Sequence, residues 1–359
     1  MSSTHAVPAG AEEIDGPGPD PGRADPGGRR PTMKDVATLA GVSLSTVSRV
    51  VNGEPSRPHL AKRVHDAVRL LGYERDLNAS TLRRADRASG SIGLLVTDVG
   101  NPFFAAVMRG IEDVARVHGS VTVAASSDED PARERELAAA LAARQVDGLV
   151  LVPTGDDNGY LRDRRTPIPL VFIDRPPRYL DADTVLSDNA GGTRTAVEHL
   201  RRHGHQRIAF LGDRHELYTA AERLRGYREA LGALFDPALI RLDLDGAAAS
   251  QAATLDLLDR PDPPSALLTG QNLITVGALR ALRARGSQHR TALVGFDDVP
   301  LADLLDPGVT VIAQQPVALG RQAAELLFSR IGGHRGRGRT AVVETRLIER
   351  GSGELAPMS

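Results

Sequence analysis

The side chains whose types and spacing could do chemistry begin close to the N-terminus. Leu44, Ser45, Ser48 and Arg49 fall on one side of a helical repeat whose opposite side is Val47 and Val50. Hydroxyls and a guanidinium in the first turns of an exposed helix can bond to base edges and phosphates. That chemistry needs a helix held at a fixed angle, and the flanking sequence supplies one. Thr32–Ala40 reads as a short amphipathic helix with Val36, Leu39 and Ala40 on one face; Gly41 breaks it and Val42 plugs the core. Ser43 then caps a second helix from Leu44 to about Val51. A third, about Pro58 to Leu71, adds Val64, Ala67, Val68 and Leu71 to a three-helix core, with Ser56 placed to cap it. Two short helices joined by a tight glycine turn make a helix-turn-helix, whose second helix offers its first residues to the major groove.

Charge agrees with a polyanionic partner for this segment. Pro31 to Ala88 holds ten basic and six acidic residues, although the 359-residue chain as a whole carries a formal charge of only −2. There is no cysteine, which excludes disulfides, thiolate metal sites and cysteine nucleophiles. No apolar run is long enough for a membrane span or a secretory leader, so a cytoplasmic location is expected. Residues 1–30 are rich in Gly, Pro, Ala and Asp and read as a disordered tail.

From Ser91 the pattern changes to short apolar runs alternating with helix-length amphipathic segments. Strands are expected at Ile92–Val96, Val121–Ala125, Gly148–Val152, Leu170–Ile173, Arg207–Leu211, Ala266–Thr269 and Ala292–Val294. Between them lie helices at Phe103–His118, Glu134–Arg144, Gly192–His203, Glu222–Leu234 and Ile274–Arg285. Buried strands alternating with helices indicate parallel sheets covered on both faces. About 260 residues is large for one such sheet, so two lobes are expected. Gly332–Gly338 reads as an exposed loop. A P-loop, a dinucleotide glycine fingerprint, a nucleophile elbow and a metal-spaced histidine cluster are all missing. His199, His203 and His205 are expected at a solvated helix end.

The run from Met33-Lys34-Asp35-Val36-Ala37 through Ala40-Gly41-Val42-Ser43 and Ser45-Thr46-Val47-Ser48-Arg49-Val50-Val51-Asn52 resembles the N-terminal signature of the lac-repressor (LacI/GalR) family of bacterial regulators. Leu70-Leu71-Gly72-Tyr73 resembles the end of that family's third helix. The resemblance implies an all-α helix-turn-helix three-helix domain over 31–75 and a hinge helix and linker over 76–90. It further implies an α/β periplasmic-binding-protein-like sensor of two doubly wound parallel-sheet lobes over 91–350, then a tail over 351–359. The first lobe would take about 91–187 and 309–331, and the second about 188–308 and 340–350. Gln314-Gln315-Pro316 fits the return crossing to the first lobe, and Val342–Ile348 fits a closing strand at the second lobe's edge.

What the resemblance implies for the sites is specific. DNA contacts fall to Thr32, Leu44, Ser45, Thr46, Ser48, Arg49, Asn52 and Tyr73. In the hinge they fall to Asn78, Ala79 and Leu82, with Leu82 as a wedge between base pairs; Ser80 stands where many relatives carry arginine. A small-molecule effector, sugar or nucleoside-like, would meet Asn101, one or both of Phe103 and Phe104, Arg223, Gln271 and Asp297. A guanidinium and a carboxylate together suit vicinal hydroxyls; the alternative for Arg223 and Asp297 is a salt bridge holding one lobe together. Asp174-Arg175-Pro176 matches too, as a shape element of the crossing. The implied protein is a homodimeric repressor of a roughly palindromic operator, without cofactor or catalytic residues. A soluble carbohydrate-binding protein without regulatory DNA contact is the alternative, which leaves the N-terminal signature unexplained. An enzyme on a doubly wound scaffold is a third.

Overall fold

The computed structural model describes residues 31–73, 89–155, 157–161 and 168–358. Asn78, Ala79 and Leu82 lie outside the described residues. The chain divides into two compact units, Met1–Arg83 and Arg84–Ser359.

In the first unit α1 (Met33–Ala40), α2 (Leu44–Val51) and α3 (Pro58–Leu71) enclose a small core of Val36, Ala40, Val47, Val50, Val64, Ala67 and Tyr73. Thr32 opens α1, its backbone N–H donating to the Asp35 carboxylate at 2.7 Å in a capping box. Gly41 ends α1 with φ +61°, left-handed backbone that glycine adopts without a Cβ penalty. Ser43 Oγ then accepts from the Thr46 N–H and starts α2. Two expectations fail locally. Leu39 is 52% exposed because the inward stripe of this short helix is already filled by Val36 and Ala40. Ser56 does not cap α3: Arg57 is the N-cap, without a side-chain bond, and Pro58 at the first helical position has no N–H to satisfy.

The second unit contains two six-stranded sheets. The first is ordered β11-β5-β4-β3-β1-β2, from β1 (Ser91–Val96), β2 (Val121–Ser126), β3 (Gly148–Leu151), β4 (Leu170–Ile173), β5 (Asp183–Ser187) and β11 (Thr340–Val343), with every pairing parallel. Helices α4 (Pro102–Val117), α5 (Pro131–Ala143) and α10 (Pro316–Ile331) belong to it. The second sheet is ordered β12-β10-β9-β8-β6-β7, from β6 (Ile208–Leu211), β7 (Ile240–Arg241), β8 (Ala266–Thr269), β9 (Ala292–Phe296), β10 (Thr310–Ala313) and β12 (Arg346–Ile348), and only β12 runs antiparallel. Its helices are α6 (Asn189–Arg202), α7 (Tyr218–Leu231), α8 (Gly246–Leu258) and α9 (Asn272–Arg285). The central strands β3, β6 and β8 are buried along their whole length and β1 everywhere but Ser91, as parallel sheets covered on both faces require.

Three strand placements differ from the expected boundaries. The segment 310–313, expected in the first lobe, is β10 of the second sheet, so the chain crosses back after Ala313 rather than before Val309. The single closing strand expected over Val342–Ile348 is two strands, β11 paired with β5 in the first sheet and β12 with β10 in the second. Glu344 and Thr345 between them make the third crossing. The lobes are thus joined by the turns after β5, β10 and β11.

The expected tail is also built into the fold. Ser352 is buried and donates to Leu293 O at 2.6 Å, and Leu355 packs against the second lobe's core. Two of the three histidines expected at a solvated helix end hold this segment down, while His203 is half-buried and bonds to His199 O. His199 is wholly buried with Nε2 2.7 Å from Glu354 Oε1, and His205 is buried with Nε2 2.7 Å from Leu355 O. A solvated helix end was the wrong expectation because the last residues fold back over it. Among the described residues no cluster of His, Asp and Glu is arranged to hold a metal ion.

Candidate nucleic-acid interface and ligand cleft

The first unit presents one face of α2 outward. Ser45, Arg49 and Asn52 are exposed, while Leu44, Thr46 and Ser48 are half-buried. Val47 and Val50 pin the opposite face into the core. Thr32 is half-buried at the start of α1. The polar groups are partly pre-oriented: Ser43 Oγ lies 2.8 Å from both Ser45 Oγ and Thr46 Oγ1, and Asn52 Nδ2 donates to Ser48 Oγ at 3.3 Å. Arg49 has only a 4.0 Å contact to Glu54, with both side chains more than half exposed, a pair too weak to hold the guanidinium from a phosphate. Tyr73 departs from the expectation. It is 9% exposed and belongs to the three-helix core, so its ring is not part of this face; a flat ring beside Val64 and Ala67 contributes more by leaving water than by facing it.

In the second unit a cleft of about 840 Å³ is lined by residues from both lobes. Asn101, Phe103, Phe104, Arg223, Gln271 and Asp297, spread over almost 200 positions of sequence, all line it. Asn101 caps α4, its Oδ1 accepting from the Phe103 N–H at 3.0 Å, and the same oxygen accepts from Asn272 Nδ2 of the other lobe at 3.0 Å. Phe104 is 7% exposed and packs into the first lobe's core, whereas its edge-to-face partner Phe103 is only partly buried. Gln271 caps α9, and its amide donates to Asp213 at 3.3 Å.

Arg223 is the deepest cation. Nε donates to Asn189 Oδ1 at 2.7 Å, Nη1 to Gly270 O at 2.6 Å, and the guanidinium lies 4.0 Å from the Phe296 ring centroid. Asp297 accepts from Gln314 Nε2 at 2.6 Å. Burial pushes its carboxyl above the usual range, with Arg223 pulling the other way. Arg223 and Asp297 therefore share a field without forming a direct salt bridge.

Four further cleft residues stand out. Asp174 follows β4 as Asp297 follows β9; both have positive φ, +69° and +71°, and each N–H donates to the neighbouring strand, at Val185 O and Ile312 O. The two lobes thus aim one aspartate each from an equivalent left-handed turn, the kind of strain that collects at binding sites. Asp174 is 6% exposed and accepts no hydrogen bond from the described residues; its nearest cation among them is Arg175 Nε at 3.6 Å. Burial raises its carboxyl pKa as well. Glu129 takes both nitrogens of Arg175, at 2.8 and 2.6 Å, and lies 3.3 Å from Arg214 of the other lobe. Gln314, in the second crossing, accepts from Ser187 in the first and donates to Asp297. Asn272 completes the interlobe amide pair. The signal that could have found Asp174 is its place directly after a buried strand, where open α/β sheets put ligands.

Comparison with known proteins accords with both halves. Residues 32–76 match the bacterial regulatory proteins of the lacI family, and residues 197–353 match the periplasmic binding protein-like domain. The chain is 34% identical to the HTH-type transcriptional regulator CelR of Thermobifida fusca, over 90% of this chain and 99% of that protein. It is 32% identical to the repressor CytR of Escherichia coli, over 91% and 97%. Among solved structures it is similar to the lac repressor dimer bound to operator and the anti-inducer ONPF, at 25% identity and TM-score 0.80, covering 91% of this chain and 100% of that one. A CelR–cellobiose complex matches at 33% identity and TM-score 0.66, over 90% and 100%. With identity above 30% across nine-tenths of its length and a helix-turn-helix on its own three-helix core, the chain belongs to the lacI family of bacterial regulatory proteins.

Proposed function

We propose that the protein is a homodimeric, sequence-specific repressor acting in the cytoplasm, whose hold on a roughly palindromic operator is set by a small polyhydroxylated effector in the interlobe cleft. The observation that carries the reading is α2: Ser45, Ser48, Arg49 and Asn52 lie along an outward face while Val47 and Val50 fix the helix from behind. Ser45, Ser48 and Arg49 read base edges; Thr32, Leu44, Thr46 and Asn52 set the helix against the backbone, and Asn78, Ala79 and Leu82 take the minor groove. Small helix-turn-helix units read paired half-sites, hence the dimer.

In the cleft Arg223 and Asp297 take vicinal hydroxyls, Asn101 and Gln271 supply amides, and Phe103 supplies an apolar face, with Asp174 as a further acceptor. CelR, the relative seen with cellobiose, has a sugar as its ligand. Effector and operator then couple because each favours one arrangement of the lobes, and each changes the other's affinity by the same factor.

Fluorescence anisotropy against duplex from upstream of the protein's own gene tests the reading. We expect at least about a thousand-fold preference over scrambled duplex, with affinity falling steeply as salt rises. Equal affinity for both duplexes, with and without a panel of sugars and nucleosides, overturns it.

A further inference from the structure

The charge of the cleft narrows its ligand further than the fold does. Nine carboxylates line it, against three guanidiniums and one imidazole. Each cation already faces a carboxylate: Arg175 lies against both oxygens of Glu129, with its buried Nε left without a hydrogen-bond partner among the described residues 3.6 Å from Asp174, Arg214 is 3.3 Å from the same Glu129, and His215 is 2.8 Å from Asp243. Arg223 already donates to Asn189 and to Gly270 O, and the two buried aspartates in its field offset the charge it could offer an anion.

Helix N-termini are the other usual cradle for an anion; of those at the cleft α4 and α9 are closed by side-chain caps, whereas α7 and α8 begin without one at Leu217 and Asp245, with the carboxylates of Glu216 and Asp245 beside them. Asn101 Oδ1 occupies the start of α4, and Gln271 Oε1 accepts from the Leu273 N–H at 2.7 Å at the start of α9. What remains open is acceptor capacity. Asp174, 6% exposed and without a hydrogen-bond donor among the described residues, faces the cavity from the first lobe, while Glu216 and Asp245 stand exposed at the rim of the second.

Resting on the cleft being the effector site, we infer that it selects donor-rich ligands carrying no negative charge, neutral polyols or their amines, and turns away phosphorylated and carboxylated counterparts. A ligand hydroxyl or ammonium supplies the hydrogen that Asp174 lacks. A phosphate meets like charge in a partly dry site, where repulsion is screened far less than in bulk water.

The test compares matched sets on the full-length protein by thermal shift and isothermal titration calorimetry: glucose, glucosamine, glucose 6-phosphate and gluconate; cellobiose and cellobionate; cytidine and cytidine 5′-monophosphate. In each set with a binder, the neutral or amine member is expected to bind at least about ten-fold more tightly than its anionic partner. The gap should shrink as salt is raised from low to about 0.5 M, as the Debye length shortens. Glu216→Gln with Asp245→Asn, both exposed, should leave the melting temperature unchanged and narrow the gap. An anionic member binding as well as or better than its neutral partner overturns this inference and leaves the proposed function standing. No binding by any member of any set overturns the reading of the cleft as an effector site, and this inference with it.

Discussion

Glu354 lies in a segment that reads as a tail, yet its replacement by alanine should be among the more damaging single changes in the larger unit. Its carboxylate accepts from His199 Nε2 at 2.7 Å, from Thr310 Oγ1 at 3.0 and 2.8 Å, and from the Gly351 N–H. His199 is 0% exposed and its Nδ1 already has no hydrogen-bond partner, so Glu354→Ala leaves the whole ring unsatisfied. The Thr310 hydroxyl cannot turn freely, because its oxygen accepts from the Arg350 and Gly353 N–H groups at 3.0 and 3.2 Å. Each buried donor left without an acceptor costs about 1–3 kcal/mol. Stranding two gives about 2–6 kcal/mol, or roughly 5–20 °C in melting temperature for a unit of this size. Glu354→Gln keeps one acceptor oxygen and should lose less than half as much. Thr310 opens β10, which leads directly to Gln314 in the cleft, so the loss should also loosen the crossing that holds Asp297. Differential scanning calorimetry on the full chain at pH 7.5 without ligand reads the effect. A loss below about 1 kcal/mol for the alanine variant would refute the reasoning and return this segment to the status of a loose end.

Two further outcomes follow from the packing and the buried charges. An added Cβ at Gly320 would sit 2.1 Å from Val107 O and one at Gly110 2.2 Å from Val317 O, so α4 and α10 touch backbone to backbone. Gly320→Ala should therefore destabilise the first lobe: overpacking of about 1–3 kcal/mol outweighs the roughly 1 kcal/mol gained in helix propensity. A raised melting temperature would contradict this. Burial holds the His205 imidazole below its usual range, despite its bond to Leu355 O. The unfolded chain then binds the proton more readily. Its contribution is complete above the unfolded pKa of about 6.5 and is lost as pH falls toward the depressed folded value. Melting temperature should decline below pH 6.5 in the wild type and less steeply in His205→Gln; parallel curves would remove His205 from the account.

Most of the three-helix unit was legible, because period, cap and breaker agree through the first two helices, with Val47 and Val50 inward, Ser43 at the cap and Gly41 at the left-handed turn; Leu39, Ser56 and Tyr73 are where the pattern misled. The two-lobed architecture was legible from strands such as Leu170–Ile173 and Ala266–Thr269, whose bounds fall where the apolar runs put them. Less visible were elements whose sequence carries little periodicity. Helix α8, Gly-Ala-Ala-Ala-Ser-Gln-Ala-Ala-Thr-Leu-Asp-Leu-Leu, has small side chains on all faces, which lets Gly277 of α9 approach Ala247 O closely. Strand β5 begins at a buried Asp183, a charge no strand pattern announces; Arg330 in the last turn of α10 and Arg339 just before β11 hold it at 2.8 Å each. The six cleft residues came from a resemblance and meet in one cavity. Asp174, Asn272 and Glu129 acquire their places only when two strand ends face each other, and separation along the chain conceals that.

The face of α2 is the centre of the account, and replacing its outward-facing polar side chains tests it most directly. Ser45→Ala, Ser48→Ala and Arg49→Ala, combined in one full-length variant, remove no part of the Val36–Val64 core. The variant should therefore melt as the wild type does. By anisotropy, its preference for the operator over scrambled duplex should fall about a hundred-fold or more, since each base contact discriminates by about 1–3 kcal/mol, while weak salt-dependent binding to either duplex persists. A variant that melts normally and keeps the full preference would contradict the account, because the surface that reads DNA would then lie elsewhere.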